Sequence, residues 1–379
     1  MLTKQQNNNR YSDGFIAEQD STNKYMARET VLITSTGSVV AQGIIKSLNL
    51  ANDGKDNPVK YRIIGTDMSP NAPGLYRSDN GILIPSASSP DYVDSLIKLC
   101  KQREVKAIFV GSDDELLTIA RAQTQIERES ATKALVGSLD LISKARDKWK
   151  TFEFCQINDM PHAASALPSS REEFAREFGF PLVVKPREGY GSVHFNIAKN
   201  KEEMDFSIQA IESAGWHAVI QEFLAGEEFT TGVTVDASGK KIMSSISIKK
   251  IIKHGQTYKA FVDDFALIRE SAEKFASKLG AKGAINIQAK LQGDKPFIFE
   301  VNPRFSASCS IRAVAGVNEP DIVFRNTILE EEINIKTYTR LFCMRYWNEV
   351  YIPMSTYEET VAEGETRKDE NHSFIPNYF

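Results

Sequence analysis

The chain lacks an apolar run long enough to cross a bilayer, a CxxC pair, an excess of positive charge and any internal repeat. Each absence removes a class. A spanning helix needs about 20 consecutive apolar residues, so no membrane segment is expected. Lys and Arg number 46 against 50 Asp and Glu, a net charge of −4, so no global basic field draws the chain to nucleic acid or to a membrane surface. The four cysteines (Cys100, Cys155, Cys309, Cys343) are scattered and have no nearby histidine set. That argues for reduced thiols in a cytoplasm and against structural zinc. No Cys/His or Ser/His nucleophile arrangement stands out. Residues 1–28 have no apolar core like that of a signal peptide and read as a disordered leader.

What is present is a soluble globular pattern, 41% hydrophobic and 25% charged over 379 residues, enough for two or three domains. Residues 29–138 alternate strand and helix: "TVLITSTGSVVAQGIIKSL", "YRIIGTDMS", "GILIPSA", then "KAIFVGSDDELLTIARAQ". That alternation predicts a parallel, doubly wound sheet. The loop "STGSVVAQG" is not GxGxxG; it reads as a strand-to-helix turn, a substrate-side loop or a weak nucleotide loop. From about 140 the texture changes. "SKARDKWKTFEFCQIN" reads as one basic helix, and the strands that follow suit antiparallel sheets, so the fold class is α/β followed by α+β.

Three stretches carry chemistry. "NIQAK" and "FIFEVNPRFS" read as a hairpin turning at Gly293-Asp294. Residues two apart on a strand share a face, so Glu300 and Asn302 present oxygens side by side, with Gln288 across the ladder and Arg304 close behind. Such a set suits Mg²⁺, which takes few protein oxygens and fills the rest with water and phosphate. In "PLVVKPREGYGSVHF", Lys185 ends a strand, and Gly189 and Gly191 let the next loop bring its backbone N–H groups close to phosphate oxygens. In "VIQEFLAGEEFTTGV", Glu222-Phe223-Leu224 forms a short linker whose backbone suits an adenine edge, and Glu228 suits ribose hydroxyls.

In this order, "RDKWKT", "VVKPREGYGS", "QEFLAGEEF", "NIQAK" and "FEVNPRFS" resemble the ATP-grasp superfamily, most closely its carbamoyl-phosphate-synthase-like branch, over residues 30–330. The resemblance implies a Rossmann-like domain at 29–138, a linker and lid at 139–225, a catalytic subdomain at 226–335 and an extension at 336–379. It implies ATP and one or two Mg²⁺, with Mn²⁺ as a substitute. Lys148 and Lys185 would contact nucleotide and phosphates, with Gly189, Gly191 and Ser192 in the flap. Glu222, Phe223 and Leu224 would line the adenine, Glu228 would hold the ribose, and Gln288, Glu300 and Asn302 would hold metal. Arg304, Lys185 and Lys250 would act in catalysis, with Lys249 and Lys253 as alternatives to Lys250. Gln288 departs from the glutamate that many members carry, which lowers the ligand charge.

The implied reaction makes an acyl phosphate from a small-molecule carboxylate and passes it to an amine. Alternatives are phosphorylation of carbamate or bicarbonate, and a non-catalytic nucleotide-binding module. Neither nucleic acid nor membrane is an expected partner, and a homodimer is left open. For the substrate, Ser306, Ser308, Ser310 and Arg312 follow the metal strand, Arg312 serving either a ligand carboxylate or a structural salt bridge. Ser38, Asp67 and Glu115 fall at strand ends of the first domain, the edge where such sheets bind ligands.

Overall fold

A computed structural model describes residues 28–366 except 56, 190, 192, 254 and 347, so residues 1–27 of the expected leader, Ser192 and residues 367–379 lie outside the described residues, while Arg28, expected to end the leader, already belongs to a strand. The N-terminal unit is a five-stranded parallel sheet. Arg28–Ile33 lies at its centre, flanked by Lys60–Asp67 and then Asn80–Leu83 on one side, and by Ala107–Phe109 and Lys133–Ala134 on the other. The first helix, Val39–Asp53, buries Val40, Ala41, Ile44, Ile45, Leu48 and Ala51, the i, i+4 stripe of a helix packed on a sheet. Ser38 caps it by accepting from the Ala41 N–H at 3.0 Å. The chain order reverses between the strands at 28–33 and 107–109, so the loops leaving them meet at the sheet's C-terminal edge. There Gly111 passes so close to Thr34 that a Cβ would run into the Thr34 carbonyl.

The basic segment is not one helix. It breaks at Asp147 into Leu139–Arg146 and Lys148–Ile157. Asp147 leaves helical geometry (φ −86, ψ 111) and its carboxylate accepts from the N–H groups of Trp149 and Lys150, which helical periodicity alone does not reveal. The lid is a four-stranded antiparallel sheet in the order Ser165–Ala166, Ala218–Glu222, Leu182–Pro186, Asn196–Ala198. It has its own core, centred on Leu182, Val184, Met204, Ile211 and Ile220.

The largest sheet has six antiparallel strands, ordered Lys295–Asn302, Gly283–Gln292, Glu227–Val235, Ile242–Lys253, Gln256–Val262 and Leu341–Met344. It shares both large cores with the N-terminal unit: Leu32, Ile108, Phe275 and Val301 belong to one, and Phe109, Ile246 and Phe305 to the other. The C-terminal segment adds the last strand and then crosses to the N-terminal sheet. Ile82 bridges to Glu365, the Leu83 N–H donates to the Gly364 carbonyl at 2.7 Å, and Arg103 pairs with Glu365 at 2.7 Å. No helix among the described residues is long and apolar enough to cross a membrane.

Candidate active site

A cleft of about 580 Å³ lies between the lid and the large sheet. Its floor is the hairpin. Gln288 and Glu300 are register partners, and Asn302 follows on the same face of its strand. Glu300 Oε1 accepts from Gln288 Nε2 at 2.9 Å and from Asn302 Nδ2 at 3.1 Å. Lys250 Nζ donates to Gln288 Oε1 and pairs with Glu228 at 2.9 Å. An ammonium only donates, so the Gln288 oxygen must face Lys250 and its NH₂ must face Glu300. Lys249 and Lys253 are directed elsewhere, Lys249 to Glu227 and the Phe261 ring and Lys253 over Tyr258, which leaves Lys250 as the lysine of this face.

The roof comes from the lid. Lys185, at 5% exposure, donates to the Phe299 carbonyl at 3.4 Å and stands over the Phe299 ring. Lys148, equally buried, donates to the Gly189 carbonyl at 2.7 Å and so ties the second helix to the base of the glycine loop. Gly189 and Gly191 line the cleft, the latter at φ +65. Burial pushes the Lys185 ammonium down to about 7, against the pull of Glu300. Burial would raise the Glu300 carboxyl, but Lys148 and Lys185 outweigh it and hold the group below its ordinary value.

At the far wall, Glu222 is occupied on both sides: its N–H donates to the Ala164 carbonyl and its carboxylate accepts from the Ala164 N–H at 2.8 Å. Phe223 and Leu224 follow, and the Leu224 carbonyl accepts from Lys290 at 2.9 Å. Sequence reasoning missed Lys290; its place opposite Glu228 in the ladder is the signal that could have found it.

Several expected residues sit differently. Arg304 lines the cleft, yet its guanidinium is held by Asp113 of the N-terminal unit (Nε 3.0 Å), by the Phe305 carbonyl and by Asn302. Of the two readings of Arg312, the structure has the salt bridge: the side chain is 0% exposed and pairs with Glu319 at 2.6 Å, behind the cleft wall. Glu115 is not at a strand end facing a ligand. It lies in the first turn of the helix Asp113–Ser130, 5% exposed, accepting from Thr34, Ser112 and Tyr92. Burial raises its carboxyl. Ser38 is spent on its helix cap and on the Gly111 carbonyl, and Asp67 on the N–H groups of Gly37 and Ser69. Ser306 and Ser308 do line the cleft, whereas Ser310 lies in the short helix Cys309–Val314.

A parallel α/β unit followed by two antiparallel lobes that enclose a lysine-lined cleft is the ATP-grasp fold. Residues 145–308 match the ATP-grasp domain model, and residues 31–134 match the model of the PylC-like N-terminal domain. Residues 145–308 therefore carry an ATP-grasp domain behind a PylC-like N-terminal domain, and the curated relatives that the chain resembles are carbamoyl phosphate synthases. It is 23% identical over 309 residues to the carbamoyl phosphate synthase arginine-specific large chain of Geobacillus stearothermophilus, covering 77% of this chain and 29% of that protein. With the carbamoyl phosphate synthase large chain of Pseudomonas putida it shares 23% over 277 residues, 65% of this chain and 25% of that one. The chain thus spans about a quarter to a third of the length of these relatives. Among solved structures it resembles the biotin carboxylase domain dimer of Hydrogenobacter thermophilus 2-oxoglutarate carboxylase, in complex with MgADP, ADP and bicarbonate (TM-score 0.65, 15% identity, 87% of this chain and 80% of that one). It also resembles the N5-carboxyaminoimidazole synthetase of Staphylococcus aureus complexed with ADP (TM-score 0.64, 14% identity, 92% of each chain).

Proposed function

We propose that the protein is an ATP-dependent, Mg²⁺-requiring ligase that activates a carboxylate as an acyl phosphate and couples it to an amine. The observation that carries this reading is the charge balance of the cleft: with Arg304 set against Asp113, Lys250 against Glu228 and Glu222 committed to Ala164, the lining leaves Lys148, Lys185, Lys290 and Arg345 with Glu300 alone. A polyphosphate supplies the missing negative charge.

Among the described residues no group of three His, Cys, Asp or Glu could hold a metal, and this reading assigns the ion to Glu300 with the neighbouring amides of Gln288 and Asn302. Glu300, held ionised, suits a divalent cation that keeps water and phosphate ligands. Gln288 and Asn302 turn their NH₂ groups toward it and their oxygens toward Lys250 and Arg304, so each amide would have to turn over to join the set. When bound, Mg²⁺ would neutralise phosphate charge and polarise the transferring phosphoryl group.

In this reading Lys148 and Lys185 hold the distal phosphates, Lys250 and Glu228 share the ribose side, and the linker at 222–224 takes the base. The substrate carboxylate attacks the γ-phosphorus, the bond to the β-γ bridging oxygen breaks, and ADP leaves. Phosphoryl transfer asks the protein mainly for alignment and charge neutralisation. Arg304 contributes once the developing charge competes with Asp113 for its guanidinium. An amine then attacks the acyl carbon and expels phosphate, while the loop carrying Gly189 and Gly191 excludes water.

The test is a screen of ADP release over carboxylate–amine pairs, with hydroxylamine trapping the acyl phosphate. Glu300→Gln is nearly isosteric and is expected to keep the fold and abolish Mg²⁺-dependent ADP formation. Full activity in that variant removes the assignment.

A further inference from the structure

The linker that leaves the lid after Glu222 rests on the strand Gly283–Gln292 at three successive residues. Lys290 Nζ donates to the Leu224 carbonyl at 2.9 Å, and Gln292 Nε2 donates to the Ala225 carbonyl at 3.2 Å. Between them the Leu291 carbonyl passes so close to Gly226, at φ +116, that a Cβ there would collide with it. Lys290 and Gln292 are two apart on their strand and share a face. Two consecutive linker carbonyls are therefore already accepting.

Lys290 is not spent on the acid nearest it in the ladder. Glu228 is its register partner, but Glu228 is also the register partner of Lys250, which pairs with it at 2.9 Å. Lys290 forms no ion pair among the described residues; its ammonium stands 5.4 Å from the centre of the Phe223 ring, and both side chains line the cleft. An ammonium has three protons to donate and accepts nothing. The far wall thus presents a cationic donor where a bare linker would present a carbonyl.

We propose that Lys290 is a specificity-determining residue for the base, and that the nucleotide position takes a purine with a carbonyl oxygen at C6 about as readily as adenine. The proposal rests on the nucleotide reading of the cleft given above and names the bases that this cleft admits. Adenine turns amine donors to that edge, and the Leu224 carbonyl, with one lone pair on Lys290, keeps a second for them. A 6-oxopurine turns an acceptor to the same edge, and a hydrogen bond from an ammonium is roughly twice as strong as one between neutral groups. Without the lysine, the 6-oxo oxygen would face the Leu224 oxygen with no proton between them, and the site would reject it.

The test is calorimetry on the full chain in Mg²⁺, comparing ADP with inosine diphosphate. The two differ only in the amine or carbonyl at C6 and the accompanying proton at N1, so the ratio of their affinities isolates that edge. The parent should bind them within about tenfold of each other. Lys290→Met should shift the ratio toward ADP by about tenfold or more, and Lys290→Arg, which keeps a cationic donor, should restore the parent ratio in large part. A parent preference for ADP beyond tenfold overturns the proposal and leaves the nucleotide reading standing. An unchanged ratio in Lys290→Met, melting at the parent temperature, overturns it equally. If neither nucleotide binds, the nucleotide reading falls and this proposal falls with it.

Discussion

Two sets of buried charge touch neighbouring strands of the large sheet, one through Asn286 and the other through Glu300, and behave in opposite ways. Arg312 and Glu319 face each other at 2.6 Å with almost no exposure, and Asn286 and Ser306 take up further guanidinium donors. Gly232 leaves room for that pair, since a Cβ there would collide with both partners. Lys148 and Lys185 are nearly as buried, but neither forms an ion pair among the described residues; Glu300 is the carboxylate that acts most strongly on both, and Lys185 is still pushed down to about 7. Matched charge is a structural element; unmatched charge in a cleft is held ready for a ligand. The lid sheet that carries Lys185 has a hydrophobic core of its own, separate from those under the large sheet.

The largest effect that would break this contrast is on the matched pair. Arg312→Met leaves a buried carboxylate without a partner and should cost about 3–5 kcal/mol in denaturant unfolding, with partial recovery in Arg312→Met/Glu319→Leu. A loss below about 1 kcal/mol would place Arg312 with the unmatched set. Next comes Arg304, the intermediate case, paired with Asp113 yet lining the cleft. Arg304→Met should cut turnover about 10²–10³-fold and leave ATP affinity within a few-fold, because its donors are needed most where charge develops. ATP affinity falling in step with turnover would make it a ground-state anchor.

Lys185→Met should weaken ATP binding by about 1.5–3 kcal/mol, with little change for AMP. The ligand-free variant should melt no lower than the parent, which is the opposite of the Arg312 outcome. The smallest effect is in protons. With the free Lys185 titrating near 7, a bound polyphosphate raises its affinity for a proton, so ATP binding at pH 8 should take up part of a proton, fading by pH 6 and absent in Lys185→Met. The stability sign follows from the same depression. Between about 7 and the ordinary lysine value of 10.5 the unfolded chain holds the extra proton, so this group makes ligand-free stability rise with pH across that window. Calorimetry in buffers of different ionisation enthalpy, and melting curves across the window, check both.

Much of the cleft was legible because it is local. Same-face spacing in "FEVN", the hairpin turn at Gly293 and the lysine before the glycine loop each follow from a few adjacent residues. What stayed hidden depends on distance along the chain. The partner of Arg304 is Asp113, 191 residues away, and nothing near "NPRF" announces it. Lys290 and Arg345 enter only when strands are put in register. Glu115 looked like a ligand because its strand end is exposed in topology, but hydroxyls of Thr34, Tyr92 and Ser112 close around it. The helix break at Asp147 was missed for a smaller reason: its capping signal lies inside an otherwise continuous basic segment.

The segment from Leu341 to Thr366 does one further thing. An open sheet edge presents unpaired N–H and C=O groups to any passing strand. This single stretch lies along two of them, pairing with Gln256–Val262 in the large sheet and then meeting Gly81, Ile82 and Leu83 at the rim of the parallel sheet. It therefore covers part of both rims with one segment, leaving the four-residue strand Leu341–Met344 as the large sheet's outer edge in place of the seven-residue Gln256–Val262. Cutting the chain before Leu341 would bare both rims together while leaving every cleft residue named above except Arg345 in the chain. The expected product is a protein that retains its nucleotide contacts and self-associates through strands, a defect of solubility before it is a defect of chemistry.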